Sequence, residues 1–76
     1  MVNPAEFLRH APIGTRVVVR SLLGDGGATD ALGYLRSKDA DTVVVETRRG
    51  RESVALAAVI AAKAVPPPPD PRLRRT

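Results

Sequence analysis

The chain has 76 residues, a formal net charge of +4 and no cysteine. It is therefore one small domain at most, and it can hold neither a disulfide framework nor a thiolate metal site. Half of the excess charge lies in residues 66–76, whereas residues 11–65 hold eight bases and six acids, a balance typical of an ordinary surface. Since the start of the chain lacks a signal-peptide pattern and the longest apolar stretch falls far short of the about 20 residues that span a bilayer, we expect a cytoplasmic protein with no membrane partner.

The first predicted elements are a short N-terminal helix within residues 1–11 and a strand that follows it. Asn3 before Pro4 is typical of a helix start, because Asn caps the first amides and Pro suits the first helical position; a frayed terminus is the alternative. From Thr15 the sequence takes the period of two of a strand, with Val17 and Val19 on one face and Val18 on the other.

The same alternation continues along the chain and predicts a mostly β protein. The predicted strands cover residues 15–20, 28–37, 42–47, 52–56 and 60–65, with one short 3₁₀ turn before the last. Gly33 inside the second strand indicates a sharp bend or bulge. Gly50 is expected to adopt a positive φ in a tight hairpin.

Four strands, a helical turn and a fifth strand are the order of a small five-stranded antiparallel SH3-like barrel, which we place at residues 12–65. Seven residues on the inner faces are predicted to form the core: Val17, Val19, Leu35, Val43, Val45, Val54 and Leu56. Proline cannot donate to a β ladder, so the run that begins at Pro66 ends the sheet. Residues 66–76 are predicted to be a disordered tail and a stiff spacer that does not dock on the barrel.

The residues predict no catalytic, cofactor or metal site. The glycine-rich segment 24–27 differs from a phosphate cradle because a strand follows it instead of a helix, and because Asp25 would repel an anion. His10 is the single histidine, whereas a zinc site needs three or four convergent ligands. A hairpin loop is the favoured interpretation of residues 24–27, and no chemical role is expected for His10.

Two surfaces are candidates for binding a macromolecule. Val18, Tyr34 and Val44 alternate with core positions, so these apolar groups face outward as a possible protein-contact face. The alternative is a nucleic-acid surface formed by Arg16, Arg20, Arg48, Arg49 and Arg51. Single-strand binders stack bases on aromatic platforms, and Tyr34 and Phe7 are the only aromatics. Solvated charge that protects an edge hairpin is therefore favoured over nucleic-acid binding, and the same shortage excludes an aromatic groove for proline-rich peptides.

Four blocks of sequence resemble a known type of domain. They cover residues 14–20, 29–33, 41–50 and 59–63, with prolines after the last block. Together they are similar to the N-terminal SH3-like domain that precedes the catalytic domain in some actinobacterial GNAT-family acetyltransferases.

The resemblance implies a non-catalytic accessory module without a cofactor. GNAT enzymes bind acetyl-CoA through an Arg/Gln-x-x-Gly-x-Gly/Ala loop in a separate α/β domain, and this chain has no matching loop. The implied partner is a GNAT catalytic domain, in cis or in trans. The module would pack on that domain, position the acetyl acceptor or mediate oligomerisation.

Overall fold

The computed structural model describes residues 3–68; the part of the predicted disordered tail that covers residues 69–76 lies outside them. The elements, in chain order, are helix α1 (Pro4–His10), strands β1 (Arg16–Leu22), β2 (Ala28–Lys38), β3 (Thr42–Thr47) and β4 (Gly50–Ala55), a 3₁₀ turn (Leu56–Ala58) and strand β5 (Val59–Ala64). No helix within residues 3–68 has the length and apolar character needed to cross a membrane.

The five strands form one antiparallel sheet in the order β4-β3-β2-β1-β5. The first four strands follow one another through hairpins. After the 3₁₀ turn, β5 pairs with the free edge of β1. Strands β4 and β5 therefore lie at opposite ends of the strand order. The protein is therefore mostly β, and the predicted fold class, including the helical turn before the last strand, is confirmed.

The core lies on the inner face of this curled sheet. All seven predicted core residues are buried, and the most exposed of them, Val54, has 8% of its surface accessible. The core also includes three residues outside the predicted set of seven: Leu8, Ala11 and Ala31.

Helix α1 forms where the Asn3-Pro4 pair predicts it, so the alternative of a frayed start is wrong. The Asn3 Oδ1 accepts a hydrogen bond from the Glu6 amide at 2.8 Å, which satisfies one of the free donors of the first turn. Leu8 is fully buried against the core, and α1 packs against β5.

The irregularity predicted at Gly33 lies further along β2. Leu35 pairs with Val45 and Ser37 pairs with Val44, so the register shifts between Leu35 and Ser37 and Arg36 is the extra residue. Gly33 itself keeps its register with β3. At the next hairpin Gly50 has a φ of 123°, as predicted.

Candidate interaction face

The outer face of β1 to β3 carries apolar side chains that the core does not cover. Val18, Tyr34 and Val44 are each half-buried, in agreement with their outward alternation. Leu32, which pairs with Val18 across β1 and β2, is 46% exposed. These four residues define what we call the outer face.

A groove of about 710 Å³ opens along part of this face. Its floor is formed by β2, and the β3–β4 hairpin forms one side. The residues that give the groove its chemistry are Arg16, Leu32, Tyr34, Arg36, Glu46, Arg48 and Arg49. We call it the Tyr34 groove; its volume lies within the range of small-ligand and peptide sites.

An ion pair crosses the middle of the Tyr34 groove. Arg36 Nε donates to Glu46 Oε1 at 2.7 Å, and the guanidinium carbon of Arg36 lies 5.4 Å from the centre of the Tyr34 ring. The hydrogen bond and the positive charge of Arg36 hold the pKa of the Glu46 carboxyl below its usual value, with a smaller contribution from Arg51. The carboxylate therefore stays charged, and one arginine of the groove is neutralised.

The three residues of the predicted protein-contact face do not lie next to one another in the structure. Tyr34 lines the Tyr34 groove, whereas Val18 lines a separate depression of about 250 Å³ beside β5. Val44 lies opposite Ser37, beyond the Arg36–Glu46 ion pair. The three side chains point to one side of the sheet, but they belong to different parts of it.

The five arginines of the predicted nucleic-acid surface also lie in different parts of the domain. Arg16, Arg48 and Arg49 line the Tyr34 groove. Arg20 pairs with Asp30 at 3.3 Å, and Arg51 lies on β4, opposite Glu46. The predicted set therefore includes one arginine that is already compensated, and it lacks Arg36.

The prolines after β5 contact the barrel, contrary to the prediction that they would not dock. Arg16 holds this segment twice: its carbonyl accepts from the Val65 amide at 2.9 Å, and its Nη1 donates to the Pro66 carbonyl at 2.7 Å. Pro68 then lines the Tyr34 groove. The composition of the tail could not predict this contact, because the contact depends on Arg16, at the start of a strand that is distant in sequence.

The glycine-rich segment forms a hairpin loop, as predicted. Leu22 pairs with Ala28 across it, and Leu23 donates to the Gly27 carbonyl at 2.7 Å. The Gly27 amide donates to Asp25 Oδ1 at 2.9 Å. The loop thus uses the Gly27 amide internally and leads into a strand.

His10 lies at the exposed end of α1. Its side chain is 79% accessible, and its Nε2 lies 3.2 Å from Glu6 Oε1, one helical turn away. Within residues 3–68 no three histidine, cysteine, aspartate or glutamate side chains are grouped so that they could hold a metal ion.

Sequence reasoning missed three members of the groove: Leu32, Arg36 and Glu46. Leu32 and Arg36 lie two residues on either side of Tyr34, so strand alternation alone could have added them to its face. The ion pair to Glu46 could not be found this way, since it depends on the register between β2 and β3.

Together, the fold and the outer face define a small SH3-like domain with a groove on one side of its sheet. Comparisons with protein-family models, with curated proteins and with solved structures found no match. The likeness to the accessory domain of GNAT enzymes rests on the four sequence blocks alone.

Proposed function

We propose that this protein is a non-catalytic interaction module that docks on a GNAT-type acetyltransferase domain, in cis or in trans, in the cytoplasm. It would act by packing its outer face against the catalytic domain. The observation that carries the proposal is the half-exposed apolar surface of Val18, Leu32, Tyr34 and Val44.

The part of this surface on β1 and β2 supports docking, because adjacent exposed apolar groups on a small domain favour burial against a partner. An exposed leucine by itself is ordinary. Here Leu32 lies directly across from Val18 in the β1–β2 ladder, and Tyr34 follows two residues later on the same face. An apolar centre with a rim of arginines is the composition that protein interfaces favour.

The resemblance of residues 14–20, 29–33, 41–50 and 59–63 names the class of partner. In the domains that this chain resembles, the SH3-like part precedes the catalytic part. The proline segment, residues 66–68, also supports a role beside a neighbour, because consecutive prolines hold the chain extended.

The test is a titration of the isotopically labelled full chain, followed by amide chemical shifts. Addition of a purified actinobacterial GNAT catalytic domain is expected to shift the amides around Val18, Leu32 and Val44. Addition of acetyl-CoA alone is expected to shift none, since the chain has no amide cradle at a helix start for the pyrophosphate. Shifts centred on residues 24–27 with acetyl-CoA alone would contradict the proposal.

A matched pair of variants separates docking from general surface effects. Leu32→Glu places a charge in the centre of the outer face and is expected to weaken the complex at least about tenfold, as loss of a central apolar contact does. Ile13→Glu is the control, because Ile13 is similarly exposed at 53% and does not line the groove. Equal affinities for the two variants would rule out the outer face as the docking surface.

A further inference from the structure

The charges of the Tyr34 groove do not balance locally. Two of its three acids have cationic partners: Glu46 binds Arg36 at 2.7 Å, and Asp30 lies 3.3 Å from Arg20. Glu52 is the remaining acid at the groove, at the level of Val45 on β4. The arginines outnumber the acids that are left to neutralise them.

Three arginines at the groove have no carboxylate partner within residues 3–68. Arg48 and Arg49 are exposed in the turn between β3 and β4, and neither side chain forms an ion pair with a described residue. Arg16 uses its guanidinium on the Pro66 carbonyl, a neutral acceptor that leaves the charge uncompensated. The rim of the groove is therefore positive.

Between these arginines the groove also presents apolar groups. Leu32 is 46% exposed, Tyr34 is half-buried, and Pro68 forms a wall. A groove of about 710 Å³ has room for a few residues of an extended chain.

We propose that the Tyr34 groove binds an extended acidic segment of a protein partner, with apolar side chains interspersed among its carboxylates. Arg48 and Arg49 would bind the carboxylates, and Leu32 would contact the apolar side chains. This inference rests on the proposed docking function and adds the chemistry of the partner's contacting segment.

An acidic peptide fits the groove better than a nucleic acid does. The Arg36 guanidinium lies over the Tyr34 ring, so the one aromatic group is not a free platform for base stacking. Glu52, which forms no ion pair with a described residue, would also repel a continuous phosphate backbone. A peptide places its charges at intervals and can leave that position neutral.

The experiment uses the full chain and short synthetic peptides as probes. Tyr34 is the only tyrosine and the chain has no tryptophan, so intrinsic fluorescence reports on this groove alone. A peptide of alternating glutamate and leucine is expected to change that fluorescence and to shift the amides of residues 32–36 and 48–50. A matched glutamine–leucine peptide is expected to bind at least about fivefold more weakly, and added salt should reduce the difference.

Variants with equal charge loss locate the contact. The double variant Arg48→Gln/Arg49→Gln is expected to raise the Kd for the acidic peptide about tenfold, as loss of two exposed ion pairs would. The control Arg9→Gln/Lys63→Gln removes the same charge away from the groove and should leave the Kd within about twofold.

Three results would overturn the inference: equal binding of the two peptides, no effect of the Arg48→Gln/Arg49→Gln change, or tighter binding of oligothymidylate than of the acidic peptide at physiological salt. If the catalytic domain still shifts the amides near Val18 and Val44 in that case, the docking proposal stands and only the groove assignment fails.

Discussion

At the scale of single residues, Gly33 decides how closely two strands approach. A Cβ atom at this position would lie 1.9 Å from the Glu46 carbonyl oxygen and 2.6 Å from its carbonyl carbon. Both are backbone atoms, so neither can rotate away. Because Gly33 has no side chain, β2 and β3 can pair closely at Glu46, the residue that also forms the ion pair with Arg36.

We therefore expect Gly33→Ala to destabilise the fold by about 1–3 kcal/mol or more, the cost of forcing atoms into a packed site. It should also lengthen the Arg36–Glu46 contact, because β3 must move. Urea denaturation measures the loss of stability. The carboxyl chemical shift of Glu46 at acid pH reports on the Arg36–Glu46 contact.

Gly24→Ala is the matched control for this substitution. Nothing lies within 4 Å of a Cβ at Gly24, and Gly24 is not among the glycines with positive φ. Its stability should stay within about 0.5 kcal/mol of the parent chain. Equal losses in the two variants would show that the close approach at Gly33 does not set the effect, since reduced freedom of the unfolded chain would by itself stabilise both.

At the scale of elements, one lysine of the sheet forms hydrogen bonds to the end of helix α1. Lys38 Nζ, at the end of β2, donates to the carbonyls of Leu8, Arg9 and Ala11 at 3.2, 2.6 and 2.5 Å. Carbonyls at the last turn of a helix have no partner within the helix, and they carry the negative end of its dipole. The part-buried ammonium group of Lys38 donates hydrogen bonds to these carbonyls and places a positive charge at the negative end of the dipole.

Lys38→Gln is expected to destabilise the protein by about 1–3 kcal/mol, since hydrogen bonds to a charged donor are lost from a partly buried site. Amide hydrogen exchange in α1 should accelerate more than exchange in β2, because the helix loses its attachment while the strand keeps its ladder.

The other lysine, Lys63, supplies the control. It is exposed on β5, and no hydrogen bond joins its side chain to another described residue. Lys63→Gln should leave α1 exchange unchanged. Similar acceleration in both variants would mean that net charge, and not the Lys38 contacts, protects the helix.

At the scale of the whole molecule, one layer of core residues supports the domain. The fully buried side chains are three to four carbons in size: Leu8, Val17, Val19, Leu35, Val43 and Val45. A chain this short buries a smaller share of its surface than larger domains do, so its stability cannot absorb a large loss in this layer.

Val45→Asp is accordingly expected to unfold the chain. A buried carboxylate without a partner costs several kcal/mol, against a total stability of about 5 kcal/mol. The amide spectrum of the variant should collapse to the narrow range of an unfolded chain.

Val44→Asp tests the same chemistry one residue away. Val44 is half-buried on the outer face, where water can solvate the new carboxylate, so this variant should keep a dispersed spectrum. A folded Val45→Asp variant, or an unfolded Val44→Asp variant, would mean that the inner and outer faces of β3 are misassigned.

The sequence by itself determined the elements and the faces of this protein. The facing of side chains along a strand is a local property with a period of two, so it assigned Val17, Val19, Val43 and Val45 to the core before any strand was paired. The same period placed Val18, Tyr34 and Val44 outside. The strand order followed from the number of strands and the helical turn before the last.

Only the tertiary structure decided which side chains meet. The bulge at Arg36 shifts the register by one residue, and Arg36 binds Glu46, ten positions along the chain. Arg16 reaches Pro66 over fifty positions. Such contacts depend on how the strands pair and where the chain turns back, and no local period encodes either, so the alternation that predicted the sheet could not predict the groove formed on it.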